Sequence, residues 1–318
     1  MFGQIIGTGM YRPEQVLTNE ELSKIVDTTD EWITERTGIR RRHIAKEDTT
    51  VSMAVKASVQ ALENANIGAE EIDLILFASF SANVLLPSAA CAVQREIGAS
   101  KAVGFDINAA CSGFVFAYNT AQMYLAGGQY QTILVIGAES LSHLLDWSDR
   151  GTCILFGDGA GAVVLRANEQ AMFSSVMHSN GAKADALTLE SRHQADWEMR
   201  LPATYIHMDG KAVFQFAIKE VPRAIEELMS TLPLGIEEID WFLLHQANKR
   251  IIGSVAKRLS LSEERFPVNL MEYGNTSSAS IPILLHELAQ EGQLKRGQKI
   301  IMAGFGAGLS WGATYLEW

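Results

Sequence analysis

The chain has 318 residues, of which 47% are hydrophobic and 20% are charged, and its formal net charge is −11. This length predicts two domains or one duplicated domain, and the composition is that of a globular protein with a large core. The acidic balance argues against a general nucleic-acid-binding protein. Three cysteines are too few for a disulfide framework and favour a reducing, cytoplasmic compartment. The N-terminus carries no secretory signal and no apolar run reaches membrane-spanning length, so we expect no membrane partner.

Apolar runs that alternate with helical patterns predict an α/β fold with a largely parallel sheet. In the first half of the chain, strands are predicted at residues 4–7, 72–77, 102–107, 132–137, 153–156 and 161–166. Helices are predicted at residues 51–65, 87–98 and 114–125. In the second half, a buried strand is predicted at residues 241–244 and a two-faced helix at residues 249–259.

Cys111 lies between a predicted strand and the predicted helix at residues 114–125. Unpaired N–H groups and the helix dipole therefore point at its thiol and stabilise a negative charge there. A thiol in this position is expected to ionise more readily than a free cysteine, and the thiolate is a nucleophile. The alternative is a buried structural cysteine, which is the common fate of this residue.

Short segments of the chain repeat in matching order. Residues 68–73 (GAEEID) recur as residues 235–240 (GIEEID), 167 positions later, and residues 157–161 (GDGAG) recur as residues 304–308 (GFGAG), 147 positions later. We therefore predict two α/β halves of similar topology, which are residues 1–170 and 171–318. Equivalent strand ends of such halves face one crevice, where open α/β sheets bind ligands.

Two polar residues of the second half are placed like Cys111. His245 ends the strand at residues 241–244, and Asn275 is expected to follow a strand and to begin a helix, 164 positions after Cys111. A single His or Asn is usually structural. Three such groups at equivalent strand ends predict a Cys–His–Asn site.

Specific motifs over nearly the whole chain resemble those of the β-ketoacyl-acyl-carrier-protein synthase III family, in the thiolase superfamily. They are DEWITERTGIRRRHI at 30–44, NAACSGF at 108–114, DRGTCILFGDGAGA at 149–162, HQANKRI at 245–251, GNTSSASIP at 274–282 and GFGAGLSWG at 304–312. The resemblance implies a thiolase-like duplicated fold, with two five-stranded mixed sheets in α-β-α-β-α order, and a homodimer. It also implies that Cys111, His245 and Asn275 are the catalytic triad.

The implied reaction is a decarboxylative condensation that starts fatty acid synthesis. Cys111 takes an acyl group from acyl-CoA, and malonyl-acyl carrier protein then loses CO₂ while His245 and Asn275 hydrogen-bond its thioester oxygen. Both compounds are substrates, so no cofactor is expected. Backbone N–H groups at Cys111 and at Gly306–Ala307 are expected to hold the oxyanion, and Phe305 to line the side of the departing carboxylate.

The resemblance also assigns binding residues. Trp32 and Arg150 are expected to sandwich the CoA adenine, with Arg36 and Asn248 near the phosphates and the pantetheine arm. The predicted helix at 249–259 has a basic face that is expected to bind the acidic carrier protein, formed by Lys249, Arg250, Lys257 and Arg258. A solvated charged face is the alternative for this helix. Gln215 stands where well-known members carry a basic docking residue, which points to a weaker or rearranged contact.

The loop at residues 79–87 matches the one that closes the primer pocket, partly across the dimer. Leu86 stands where acetyl-selective members tend to carry Phe, which predicts a longer or reshaped pocket. The other expected pocket residues are Leu141, Phe156, Leu189 and Ile206. A straight-chain primer is expected, with acetyl possible and octanoyl as a competitor.

Several alternatives remain open. Elongating synthases resemble a Cys–His–His arrangement, which Asn275 disfavours, whereas plant-type polyketide synthases share the triad, so an enzyme with a secondary-metabolite acceptor is possible. Hydroxymethylglutaryl-CoA synthase and thiolase relatives match less well, and a non-catalytic acyl-binding subunit is disfavoured by the intact triad. The glycines at 157–161 do not indicate a dinucleotide site because a strand follows them, and no histidine spacing indicates a metal site.

Overall fold

A computed structural model describes residues 1–190 and 204–318. Its strands are β1 (Phe2–Tyr11), β2 (Val16–Thr18), β3 (Arg41–His43), β4 (Leu74–Ala78), β5 (Val103–Ile107), β6 (Thr132–Glu139), β7 (Gly159–Asn168), β8 (Phe173–Ser179), β9 (Leu187–Thr188), β10 (His207–Met208), β11 (Trp241–Leu244), β12 (Lys299–Gly306) and β13 (Ser310–Glu317). Its α-helices are α1 (Asn19–Leu22), α2 (Asp30–Thr37), α3 (Thr50–Ala65), α4 (Ala89–Ile97), α5 (Gly113–Ala126), α6 (Arg150–Cys153), α7 (Gly210–Ser230), α8 (Lys249–Arg258), α9 (Leu270–Tyr273) and α10 (Ser280–Gln290).

Two mixed sheets form the frame of the molecule. The first has five strands in the order β1-β7-β6-β4-β5, with β6, β4 and β5 parallel and β7 antiparallel to both of its neighbours. The second has four strands in the order β8-β13-β12-β11, with only β11 and β12 parallel. The second sheet therefore repeats the order and directions of the first without its last strand.

The expectation of a second five-stranded sheet is wrong, and so is the expectation that Asn275 follows a strand. The strand that would match β5 lies before Asn275, where the chain instead forms helix α9. Pro267 lies three residues before that helix. The short helix and the turn at Gly274 then deliver Asn275 to the site.

Helices cover the sheets in layers. Helices α3 and α4 pack on the outer face of the first sheet, and α7 and α8 pack on the outer face of the second. Helices α5 and α10 lie between the two sheets and contribute to one buried cluster with strands of both. This position explains why α5 is apolar on most of its surface, because it has no face that meets solvent along its whole length.

The repeated sequence segments fold alike. Gly68 and Gly235 each precede a single 3₁₀ turn, and in both turns a glutamate three residues later accepts a hydrogen bond from the glycine N–H. The distances are 3.2 Å to Glu71 and 2.7 Å to Glu238. The two turns lead into the equivalent strands β4 and β11.

The predicted strand at residues 153–156 is wrong. Asp149 accepts a hydrogen bond from the Gly151 N–H at 2.8 Å and so caps helix α6. Phe156 only forms an isolated bridge with Asn275. The glycines at 157–161 enter strand β7, as predicted, and no helix follows them. Across residues 1–190 and 204–318, we find no helix with both the length and the apolar character of a membrane span.

Candidate active site

The three expected catalytic residues meet at one cavity. Cys111, His245 and Asn275 all line a tunnel of about 460 Å³, together with Phe305 and Gly306. Cys111 follows strand β5 of the first sheet and His245 follows strand β11 of the second, whereas the turn that follows Asn275 packs on β6 of the first sheet. The expected juxtaposition is therefore present, although the role of each residue remains a prediction.

Cys111 sits in a 3₁₀ turn, Ala110–Ser112, that leads directly into α5. Ala110 has a φ of +46°, a left-handed conformation that is strained for a residue with a Cβ. This backbone conformation sets the direction of the Cys111 side chain. The thiol is only 6% exposed, and burial raises the pKa of Cys111 to about 12 although the Ser277 hydroxyl lowers it. The expectation of an easily ionised thiol is wrong for the free enzyme, because desolvation outweighs the helix terminus.

His245 is a neutral hydrogen-bond donor. Its Nδ1 lies 2.7 Å from the Ser280 hydroxyl, and that hydroxyl oxygen also accepts the Gln246 N–H at 3.3 Å. Two arrangements satisfy these contacts: the hydroxyl donates to Nδ1 and the ring hydrogen is on Nε2, or Nδ1–H donates to the hydroxyl oxygen, which has two lone pairs. Burial lowers the pKa of His245 to about 3, so the ring is uncharged at neutral pH. The Phe305 ring packs edge-on against it at 5.1 Å.

Asn275 presents its amide group to the tunnel. Its Oδ1 accepts the Ser277 N–H at 2.8 Å, which leaves the NH₂ group free to donate. Its backbone is fixed as well, because its N–H donates to the Leu155 carbonyl at 2.8 Å. Ser277 has a φ of +50°, so a second strained residue lies beside the site.

The Gly306–Ala307 turn lies directly against Cys111. A Cβ on Gly306 would stand 2.7 Å from the Cys111 backbone nitrogen, so only glycine fits there. Ser310 joins the turn to the cysteine, because its hydroxyl lies 2.7 Å from that of Ser112 and donates to the Ala307 carbonyl at 3.0 Å. These hydrogen bonds therefore fix the position of the turn relative to Cys111.

A second cavity of about 200 Å³ opens beside Cys111. Of the expected pocket residues, Phe156, Leu189 and Ile206 line it. Leu141 is buried in the same apolar cluster but does not line the cavity, and Leu86 is 87% exposed and lies outside it. Phe80, from the loop predicted to close the pocket, and Ala307, from the predicted oxyanion turn, also line it. The pocket residues that were not predicted are Asn108, Ala110, Leu187 and Thr188, and the last two belong to strand β9, which pairs with β10.

The expected CoA residues cluster at the outer part of the tunnel. Trp32, Arg36 and Asn248 line it, and the guanidinium carbons of Arg36 and Arg150 both lie 4.8 Å from the Trp32 ring centre. A base that stacks between Trp32 and Arg150 must therefore displace the Arg150 guanidinium. Asn248 caps α8 by accepting the Arg250 N–H at 2.8 Å, and it donates to the Arg36 carbonyl at 3.1 Å.

Helix α8 has the two faces that its sequence predicts. Its basic side chains are all exposed; they are Lys249, Arg250, Lys257 and Arg258. Its apolar side chains are buried in the core; they are Ile251, Ile252, Val255 and Ala256. Arg250 also lines the tunnel, so the basic face reaches the opening. Sequence reasoning missed two residues of α7 that line the tunnel. Lys211 lies one helical turn before Gln215, and Phe214 is the residue directly before it.

A buried thiol, a neutral imidazole and a carboxamide thus line one tunnel that also reaches Trp32 and Arg36. This chemistry, on an α/β fold of two layered sheets, defines an acyl-transferring condensing enzyme.

Comparisons with known proteins narrow this class to a family. Residues 105–181 match the family model of 3-oxoacyl-[acyl-carrier-protein (ACP)] synthase III, and residues 229–318 match that of its C-terminal part. The β-ketoacyl-[acyl-carrier-protein] synthase III of Clostridium acetobutylicum is 48% identical over 319 residues, which cover 99% of this chain and 98% of that one. The crystal structure of the synthase III from Aquifex aeolicus has a TM-score of 0.93 at 44% identity and covers 99% and 100% of the two chains. A priming β-ketosynthase from a polyketide pathway has a TM-score of 0.93 at 36% identity, with 99% and 96% coverage.

The chain belongs to the β-ketoacyl-acyl-carrier-protein synthase III family. It is an acyltransferase that carries out the initiating condensation of fatty acid synthesis, with acyl-CoA and malonyl-acyl carrier protein as substrates. Enzymes of this family require no cofactor.

Proposed function

We propose that Cys111, His245 and Asn275 are the catalytic triad of this condensation. The observation that carries the proposal is their convergence on one tunnel, with the smaller cavity opening at Cys111. The tunnel then receives the pantetheine arm of each substrate in turn, and the smaller cavity receives the acyl chain of the primer.

In the first half-reaction, the sulfur of Cys111 attacks the thioester carbon of acyl-CoA. The carbonyl oxygen becomes an oxyanion, which the N–H groups of Cys111 and of the Gly306–Ala307 turn stabilise. The C–S bond to CoA then breaks, and the acyl group remains on Cys111. The close packing of Gly306 on the Cys111 backbone supports this role, because it places the two sets of donors side by side.

In the second half-reaction, malonyl-acyl carrier protein places its thioester oxygen between His245 and Asn275. The Nε2–H and the NH₂ group donate hydrogen bonds to that oxygen, where enolate charge develops as CO₂ leaves. Both donors are uncharged, so they stabilise the enolate without protonating it. The Phe305 ring offers the departing carboxylate an apolar surface, which favours the loss of its charge. The resulting carbanion attacks the acyl carbon on Cys111, the C–S bond to Cys111 breaks, and the β-ketoacyl product leaves on the carrier protein while Cys111 is freed.

Mass spectrometry of the intact protein tests the triad. After mixing with acetyl-CoA or octanoyl-CoA, the acyl group is expected on Cys111, and Cys111→Ala is expected to abolish the adduct. His245→Ala and Asn275→Ala are expected to keep the adduct and to lose decarboxylation by about 10²-fold or more. A wild-type protein that forms no covalent adduct would instead be an acyl-binding subunit.

We also propose the substrate contacts. Trp32, Arg36 and Arg150 bind the nucleotide end of CoA, with Asn248 holding Arg36 in place, and the exposed basic face of α8 binds the acidic carrier protein. The guanidinium groups of Arg36 and Arg150 stack on the Trp32 ring, which supports the first assignment. Adenine stacks on an aromatic ring or a guanidinium, and phosphate pairs with arginine.

For the primer, we propose a straight chain that is acetyl or longer. An apolar cavity of about 150 Å³ holds a benzene ring, so the cavity of about 200 Å³ beside Cys111 has room for several carbons beyond acetyl. Steady-state rates with acyl-CoA primers of increasing length, from acetyl to decanoyl, test this. A sharp optimum at acetyl contradicts the wider pocket. Turnover with malonyl-CoA in place of malonyl-acyl carrier protein would favour a secondary-metabolite acceptor instead.

Finally, we propose that the enzyme is cytoplasmic and forms a homodimer. Within each chain, residues 1–170 and 171–318 form two equivalent halves. The matching strand orders of the two sheets and the matching 3₁₀ turns support the duplication. Strand β5 supports the dimer, because it is an edge strand of the first sheet and its Val103 side chain is 50% exposed. Leu85 and Leu86, at 76% and 87% exposure, then meet the partner copy.

A further inference from the structure

Glu139 is a buried carboxylate that ends strand β6 and lies outside the proposed triad. Its side chain is inaccessible to solvent, and none of the ion pairs within residues 1–190 and 204–318 includes it. Burying a carboxylate without a cation is costly unless hydrogen bonds satisfy it. The groups that donate to its two oxygens therefore show which parts of the chain it holds together.

One carboxylate oxygen, Oε2, binds the beginning of the primer loop, residues 79–87. It accepts hydrogen bonds from the Ser79 hydroxyl at 3.0 Å, the Phe80 N–H at 3.4 Å and the Ser81 N–H at 3.2 Å. The Ser81 hydroxyl donates to the same oxygen and accepts the Ser140 N–H at 2.9 Å. Three consecutive residues thus direct donors at one oxygen, which fixes their backbone relative to strand β6.

The other oxygen, Oε1, binds the turn that follows Asn275. It accepts hydrogen bonds from the Ser277 hydroxyl at 3.2 Å and from the Ser278 hydroxyl at 3.0 Å. This turn packs on β6 and holds the Asn275 amide group through the Ser277 N–H. The carboxylate of Glu139 therefore joins two segments that are distant in the chain and that both border the site.

Phe80 is the residue of the primer loop that lines the smaller cavity, which is the proposed primer cavity. Its ring packs on the apolar cluster that includes Phe156 and Ile206, two other residues of the cavity wall. Further along the loop, residues 85–86 are exposed. The position of this part of the wall therefore depends on how firmly the backbone of residues 79–81 is held.

Two other hydrogen bonds hold the same segment at its ends. The Ser79 N–H donates to the Ile107 carbonyl at 3.2 Å, and the Thr50 hydroxyl donates to the Ser81 carbonyl at 2.8 Å. Loss of the Glu139 contacts is therefore expected to loosen the segment without detaching the loop. The effect of such a loss falls on the shape of the cavity.

We propose that Glu139 is a positioning residue that sets which primer lengths the enzyme accepts, because it ties the primer loop to the turn after Asn275 and so fixes Phe80 as a wall of the primer cavity. A wall held in place fits one chain length closely, since a shorter chain leaves a gap and a longer chain clashes. A wall that moves accepts several lengths with similar, weaker packing. The proposal rests on Cys111 as the nucleophile and on the cavity beside it as the acyl site.

The length and the charge of this side chain can be varied separately. Glu139→Gln keeps the length: its amide oxygen can accept from the N–H groups of the primer loop, and its NH₂ group can donate to Ser277 and Ser278, whose hydroxyls rotate to accept. Glu139→Asp keeps the charge but is shorter by one carbon–carbon bond, about 1.5 Å, so its carboxylate cannot reach both segments.

The test is the profile of acylation rate against primer length. Rapid-quench acylation of Cys111 is read by mass spectrometry with acyl-CoA primers from acetyl to decanoyl. In Glu139→Asp, we expect the ratio between the best and the poorest primer to fall by about tenfold, since a close fit to one methylene is worth at least that much. Glu139→Gln is expected to keep this ratio within about twofold of the wild type. A general loss of folded protein lowers every rate equally and leaves the ratio unchanged.

A serine pair decides the matter if Glu139→Asp does not fold. Ser81 and Ser142 each donate both a hydroxyl and a backbone N–H to a buried carboxylate, that of Glu139 for Ser81 and that of Asp158 for Ser142. Among the described residues, Asp158 accepts no hydrogen bond from the primer loop. Both alanine variants lose a buried hydrogen bond, but we expect only Ser81→Ala to lower the ratio, by about fivefold or more.

Three results would overturn this role. They are an unchanged ratio in Glu139→Asp, a loss in Glu139→Gln that equals or exceeds the loss in Glu139→Asp, and equal losses in the two serine variants. The second result would mean that the charge matters and the span does not. A wild-type protein that forms no adduct with any primer would refute Cys111 as the nucleophile, and the role of Glu139 with it.

Discussion

At the scale of single residues, the site works with uncharged donors that their neighbours hold in place. Ser280 holds the His245 ring through the 2.7 Å contact with Nδ1, and a hydroxyl that donates in this contact puts the ring hydrogen on Nε2. Ser277 fixes the orientation of the Asn275 amide group, because its backbone N–H donates to Asn275 Oδ1. The donors are therefore aimed before the substrate arrives, which is what stabilisation of a developing enolate requires.

Ser280 is a positioning residue, and its loss has a specific consequence. In Ser280→Ala, the His245 ring can take either tautomer, so we expect decarboxylation of malonyl-acyl carrier protein to fall by about tenfold while acylation of Cys111 stays unchanged. Ser280→Thr keeps the hydroxyl and is expected to restore most of the activity. Nitrogen chemical shifts of His245 report the tautomer directly. A single Nε2–H signal in Ser280→Ala would contradict this role.

The neutral state of His245 predicts how stability depends on pH. Because burial lowers its pKa from 6.5 to about 3, the folded protein leaves His245 unprotonated between these values while the unfolded chain takes up a proton. Stability is therefore lost as the pH falls below 6.5. Between pH 7.5 and 5, the wild type is expected to lose about 2 kcal/mol more than His245→Asn.

Denaturant unfolding of both proteins at the two pH values measures this difference. The comparison cancels the other titrating groups, since they are common to both chains. Equal losses in the two proteins would show that His245 is protonated in the folded state.

Sequence reasoning identified the residues that belong to short, distinctive segments, but not those whose partners are distant. Cys111, His245 and Asn275 each stand in a recognisable turn. Glu139 is one residue at the end of an apolar strand, and its donors lie about 60 and 140 positions away in the chain. The ionisation of Cys111 was wrongly predicted for a similar reason, because its burial depends on how the two sheets pack and not on its position at a helix terminus.

At the scale of elements, helix α8 combines a buried apolar face with an exposed basic one that ends at the tunnel. The strong alternation within ten residues made this helix and its faces predictable. The missing fifth strand of the second sheet was less predictable, because one proline and a short helix replace it within a few residues. The short apolar run at residues 153–156 was predicted as a strand, but its first residue ends helix α6 and the rest forms a turn and one isolated bridge.

The basic face of α8 makes a testable contribution to carrier-protein binding. In Lys257→Glu, the attraction to an acidic partner becomes a repulsion, so we expect the KM for malonyl-acyl carrier protein to rise by about tenfold, and less at high salt. Acylation by acyl-CoA should stay unchanged. Lys295→Glu is the matched control, because Lys295 is exposed and precedes β12, at the opposite end of that strand from Gly306. Equal effects of the two variants would mean that net charge alone matters.

At the scale of the whole molecule, one edge of the first sheet remains uncovered. Strand β5 is paired on one side only, and the side chains beside it are unusually apolar for a surface: Val103 at 50% exposure, Met123 at 49% and Tyr124 at 37%. An unprotected edge of this kind favours pairing with another chain. Leu85 and Leu86, in the loop beside the primer cavity, are exposed as well. A second copy would cover the edge and the loop together.

We therefore expect sedimentation to give a particle of about 70 kDa, twice the 34.8 kDa of one chain. Val103→Lys puts a charge at the centre of the proposed interface, and burying an unpaired charge is costly, so the dimer should dissociate at least about tenfold more readily. Because the partner is expected to close the primer cavity, acylation by octanoyl-CoA should fall together with the dimer fraction as the protein is diluted. Lys101→Glu, which changes a side chain that is already charged and exposed near the same edge, should leave the interface largely intact. A wild-type protein that sediments as a monomer and keeps its activity would show that one chain closes its own cavity.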